Sequence, residues 1–206
     1  MSFIFFLFQV VIISLSGVMA PGPITAVTIG VGTKSPHAGA LVAVGHGIVE
    51  FPLMFMMFLG LGYIFDSPYV KMGIFILGGI FLLFIGAGML RSMKKTKEIS
   101  ENSSKLPIIS GIMLSAGNAF FIIWWATIGA SLISKAVAFG LTGFLIFAVV
   151  HWLCDFSWYY ILSTVSFRGR KILGMKFQRS VFGISGTFLL FFGVLFIRDG
   201  FKLWLG

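Results

Sequence analysis

Residues 3–33 read FIFFLFQVVIISLSGVMAPGPITAVTIGVGT, thirty-one positions without one Asp, Glu, Lys or Arg. An unbroken helix of that length would measure about 46 Å, against a bilayer hydrocarbon core of about 30 Å. Pro21-Gly22-Pro23 removes the excess: two residues without an amide hydrogen flank a glycine, so a helical ladder cannot run through. The expectation is a long first helix, a break, and a short helix over 24–31. Unwinding exposes carbonyls before the break and amide donors after it, where the positive end of the second helix attracts a carboxylate. Pro21, Gly22, Pro23 and Thr25 are therefore candidate substrate-binding residues, and Thr28 adds a hydroxyl. A kink that only shapes packing is the structural alternative. A secretory signal ending at Val18-Met19-Ala20 is a third reading. No basic region precedes the apolar run, Pro21 would sit at the cleaved bond, and many more apolar segments follow.

The remaining chain repeats this character. Of 206 residues, 58% are hydrophobic and 10% charged, where soluble domains carry roughly 25% charged residues. Further spans are expected over 39–62, 69–90, 107–134, 140–164 and 181–204. Six spans of about 20 residues use roughly 120 positions and leave no extramembrane catalytic domain. All should be helices, because an isolated segment in lipid must satisfy its own backbone. No nucleophile-elbow, zincin or paired intramembrane-aspartate motif is present, so no enzymatic activity is expected. The single cysteine, Cys154, excludes an intrachain disulfide or thiol pair and is expected to pack.

The net charge of +9 lies between the apolar runs and so implies no nucleic-acid partner. Eleven Lys and Arg fall in the first, third and fifth loops and four on the opposite side. By the positive-inside rule the odd loops are cytoplasmic and both termini face outward. The basic stretch 91–106 then links a first repeat, 1–90, to a second, 107–206, and meets anionic lipid.

Internal similarity supports that division. Residues 79–86, GIFLLFIG, match 186–193, GTFLLFFG, at an offset of 107 that also pairs Arg91 with Arg198. His46 and Glu50 in the second span match His151 and Asp155 in the fifth at an offset of 105. Three spans per half is odd, so the second half crosses in the opposite sense. The expected fold is an all-α integral membrane protein of two inverted three-helix repeats, an arrangement that places a transport site near mid-membrane. The 26 glycines suit close helix contact, within one chain or across a homodimer.

Ionisable groups within the bilayer cost on the order of 3 kcal/mol each on insertion scales, so these four are functional candidates. Spacing by four puts each His and its carboxylate on one helix face. Proton coupling by Glu50, Asp155, His46 and His151 is one reading. Mutual satisfaction that locks helix packing is another, and a divalent-metal site a third. Pro52 should kink the second span. Asn118 lies in the over-long fourth segment, where it is either a substrate ligand or interhelical glue. The five tryptophans are assigned to interface or core.

The triplet Pro21-Gly22-Pro23 after an apolar first span, followed by Gly32, Gly39, Gly45 and Glu50, resembles the LysE/RhtB family of amino-acid exporters. Gly111 and Asn118 are similar to its fourth-span signature. The resemblance implies a secondary transporter in a prokaryotic inner membrane, driven by the proton gradient without a cofactor, exporting amino acids or related small metabolites. Ile24 stands where many members carry Asn, and Ala119 where they carry Pro after Asn118. His151 with Asp155 is no family signature, so its role rests on the internal symmetry. The expected cargo is a zwitterionic or cationic amino acid leaving in exchange for protons. The alternatives are a divalent-cation exporter using the same four residues, and a structural membrane subunit.

Overall fold

The computed structural model describes residues 2–20, 22–62, 67–94 and 105–205. Every regular element among them is helical: α1 (Phe3–Val18), α2 (Pro23–Gly32), α3 (Ala38–Phe58), α4 (Pro68–Lys94), α5 (Lys105–Ala116), α6 (Ala119–Trp124), a π-helical segment (Trp125–Gly129), α7 (Ala130–Val137) and α8 (Gly140–Leu205). Five helices are long and apolar enough to cross a membrane, or six when α1 and α2 form one bent span. Most of the linker, 95–104, lies outside the described residues.

The break in the first segment is where the prolines put it. The ladder of α1 ends with the Met19 amide on the Leu15 carbonyl, Gly22 is extended (φ −154°, ψ 177°), and Pro23 starts α2 at an angle of 76° to α1. A proline at the first helical position loses no bond, since that amide would have no helical acceptor. The fourth segment breaks as well. Asn118 leaves the helical region (φ −101°, ψ 103°) and caps α6 by accepting from the Phe120 amide at 3.1 Å. The over-long fourth segment, 107–134, is therefore α5, a break, and α6 running through the π segment into α7.

The fifth loop requires correction. Residues 165–180, expected to separate two spans, are helical throughout except at Gly174 (φ 68°, ψ −155°). The stretch contains no proline and several good helix formers, so a single residue in a conformation open only to glycine makes the turn. α3 also runs through Pro52 and stops at Phe58, short of the expected end.

Glycine governs the closest packing. α4 lies along 175–205 of α8, with Gly79 against Gly193 and Gly86 against Gly186; a methyl on any of these four would stand 2.8–3.0 Å from the facing carbonyl. The glycine faces of the third and sixth spans therefore meet each other inside the protomer. α3 approaches α5 through Gly45 and Gly111, and Gly39 lies under the Tyr159 carbonyl of α8. At one end, Ser163 donates to the Pro36 carbonyl at 2.7 Å and Arg170 to the Thr33 carbonyl at 3.1 Å, fastening the α2–α3 turn to α8. Half-burial there, with the Arg170 charge adding to it, holds the Lys34 ammonium below its ordinary pKa.

Candidate functional site

His46 and Glu50 occupy one face of α3, and His151 and Asp155 the same relative positions on α8. All four are at most 4% exposed. Their reactive atoms converge into an alternating ring. His46 Nε2 lies 3.1 Å from Glu50 Oε1 and 3.6 Å from Asp155 Oδ2, and His151 Nε2 lies 3.2 Å and 3.6 Å from the same two oxygens. Each imidazole thus faces both carboxylates, where a purely local pairing would have joined each to its own neighbour four residues on. Charged groups withdrawn from water are tolerated only in such mutual compensation.

Two serines complete the ring's outer side, each from the other half of the chain. Ser115 of α5 bonds His46 Nδ1 at 2.6 Å, and Ser14 of α1 bonds His151 Nδ1 at 2.6 Å. The Ser115 hydroxyl donates its one hydrogen to the Gly111 carbonyl at 2.6 Å, so it must accept from His46 Nδ1–H. With that hydrogen on Nδ1, Nε2 faces carboxylate oxygens, and one hydrogen must lie in the contact between them. The Trp125 indole N–H also donates to Glu50 Oε1, at 3.3 Å. Glu50 Oε2 is buried without a hydrogen-bond partner.

The ring forms one wall of a cavity of about 590 Å³, within the range of small-molecule sites. Gly22, Pro23, Thr25 and Asn118 line it together with His46, Glu50, His151 and Asp155. Eight of the nine candidate residues therefore share one cavity; Pro21 lies outside the described residues. Thr25 donates to the Ala20 carbonyl at 3.3 Å across the break. Thr28 is fully buried without a hydrogen-bond partner and does not line the cavity.

Sequence reading missed Ser14, Ser115, Trp124 and Trp125. Trp124 stacks on His151 at 5.3 Å and Trp125 meets the same ring edge-on at 5.0 Å, so both belong to the site. The π segment, whose wider turn re-aims side chains, begins at Trp125. Trp152 fits the core assignment, lying against Gly47 and donating to the Ala43 carbonyl at 3.0 Å. Cys154 is buried and bonds the Val150 carbonyl. A usable signal existed for the serines: each sits in an apolar run, and they are 101 residues apart, near the offset of the His pairs.

Broken helices lining a cavity that buries compensated charges define a polytopic membrane protein with a small-molecule-sized chamber among its helices. The LysE type translocator profile matches residues 15–200, and the chain belongs to that family. It is 27% identical over 203 residues to a Bacillus subtilis (strain 168) protein named "Putative amino acid efflux protein YcgF", covering 95% of this chain and 97% of that one. It is 26% identical over 206 residues to an "Uncharacterized membrane protein" of Haemophilus influenzae, covering 93% and 96%. No solved structure matches the chain significantly.

Proposed function

We propose that this protein is a secondary active exporter of amino acids or related small metabolites in a prokaryotic cell membrane, working by proton exchange. The observation that carries the reading is the His46–Glu50–His151–Asp155 ring in the wall of a cavity that also reaches the α2 N-terminus. The substrate ammonium competes with the imidazoles for Glu50 and Asp155, so cargo and proton displace one another. The substrate carboxylate is held at the break by the first amides of α2, with the Thr25 hydroxyl turning from the Ala20 carbonyl to join them. No resident cofactor enters the cycle.

The reading includes two inverted three-helix repeats with both termini outside. Residues related by the offset of 105 touch: His46 and His151 share both carboxylates, and Gly47 lies against Trp152. Gly79 corresponds to Gly186 and Gly86 to Gly193, yet Gly79 meets Gly193 and Gly86 meets Gly186, the exchange that a two-fold axis between the halves would produce.

Efflux from proteoliposomes under an imposed pH gradient tests the function. Glu50→Gln with Asp155→Asn should abolish pH-driven movement while the protein still folds; undiminished pH-driven transport by the double variant would overturn the proton role. A second reading, a divalent cation as cargo, is favoured by His46, Glu50 and Asp155 offering ligand atoms within 4.8 Å of one another. Imidazole and carboxylate ligands suit such an ion. Zn2+ movement lost in His46→Ala and His151→Ala, with no amino-acid transport by the parent protein, would decide for it.

A further inference from the structure

We infer that the cavity is built for a zwitterionic amino acid with a bulky uncharged side chain, held in one orientation. The inference rests on the amino-acid reading above and narrows its substrate class.

The two helix breaks that meet at the cavity are not equivalent. At the second, the Asn118 side chain takes the Phe120 amide, so the start of α6 is closed by its own residue. At the first, Gly22 offers no capping side chain, and the first helical bond runs from the Ala26 amide to the Gly22 carbonyl. The Ile24 and Thr25 amides precede that bond and have no helical acceptor. The α2 start therefore keeps both of these donors for an anion, whereas at α6 Asn118 has already taken one. The cationic end is fixed by the other wall, where Glu50 Oε2 and Asp155 Oδ2 are buried without a hydrogen-bond partner. Both His Nε2 atoms lie within 3.6 Å of Glu50 Oε1 and Asp155 Oδ2, so the ring is one compact unit that takes one ammonium.

With the two charged ends placed, the side chain is left with the remaining wall. Phe120, Phe121, Ile123, Trp124, Ile128 and Phe192 supply most of its surface, beside the uncharged hydroxyls of Ser16, Thr127 and Tyr159. Among the described lining residues, the four ring members are the only formal charges. A lysine or glutamate side chain would meet apolar surface and lose its hydration without a partner, a cost of several kcal/mol. A branched or aromatic side chain gains with each buried methylene.

The test uses the full chain purified in lipid nanodiscs and titrated calorimetrically with leucine, phenylalanine, serine, lysine and glutamate, and with 3-methylbutylamine and 4-methylpentanoate, which each lack one charged end of leucine. Leucine and phenylalanine should bind about tenfold or more tightly than the other five compounds. Phe192→Ala should lower leucine affinity about tenfold and leave serine affinity within about twofold. Lysine or glutamate binding as tightly as leucine overturns the inference, as does equal binding of the amine alone. If Phe192→Ala does not fold, the ranking by the parent protein decides. Binding of charged amino acids with intact pH-driven efflux refutes only this narrowing, whereas absence of binding and efflux for every amino acid refutes the underlying function.

Discussion

Ser115 donates its hydroxyl hydrogen to the Gly111 carbonyl, whereas the described bond of Ser14 is to His151 alone. Ser115→Ala strands a buried Nδ1–H at a cost of about 1–3 kcal/mol and releases the His46 tautomer. It should change the pH profile of efflux, with Ser115→Thr restoring it; an unchanged profile in Ser115→Ala would contradict the assigned hydrogen direction. The ring members were legible because charges are scarce in an apolar chain, so His46, Glu50, His151 and Asp155 stand out by type and spacing. The serines and Trp125 were not, because a hydroxyl or an indole in a span is common and only its tertiary partner marks it.

Helices in this chain meet through missing side chains, and that is testable at the scale of the element. Gly86 lies against the Gly186 carbonyl, while a Cβ at Gly88, half a turn away, would meet nothing within 4 Å. Gly86→Leu should destabilise the protein by about 1–3 kcal/mol as overpacking does, and Gly88→Leu should be nearly neutral in thermal unfolding. Gly174, at φ 68°, carries the only non-helical turn within α8, and Gly174→Val should cost about 1–3 kcal/mol of backbone strain. The break at Pro21-Gly22-Pro23 was readable because proline acts locally. The helical state of 165–173 and 175–180 was not, because a run of Arg and Lys reads as a loop by charge although those residues are good helix formers.

Over the whole molecule, charge and topology set the expectations. Lys34 sits beside Arg170 where α8 grips the α2–α3 turn, and its pKa is lowered by burial and by that neighbour. The folded protein thus binds this proton less readily than the unfolded chain. Stability gained from deprotonation is complete above the unfolded value of 10.5 and is lost as pH falls through the folded value. Lys34→Gln should therefore raise the melting temperature at neutral pH, with the gain vanishing above about pH 10.5; a gain independent of pH would point to another cause. Single cysteines placed at Ser2 and Leu203 in a Cys154→Ala background should both react with a membrane-impermeant maleimide on intact cells, as a cytoplasmic location of the basic loops requires.

Each imidazole in the ring belongs to one half of the chain and its serine to the other. Any rocking that parts the halves to let cargo through must pull His46 from Ser115 and His151 from Ser14 in the same stroke. In the exchange cycle we propose, opening the gate and re-setting the proton carrier would be a single mechanical event, with no relay elsewhere in the protein required to keep them in step.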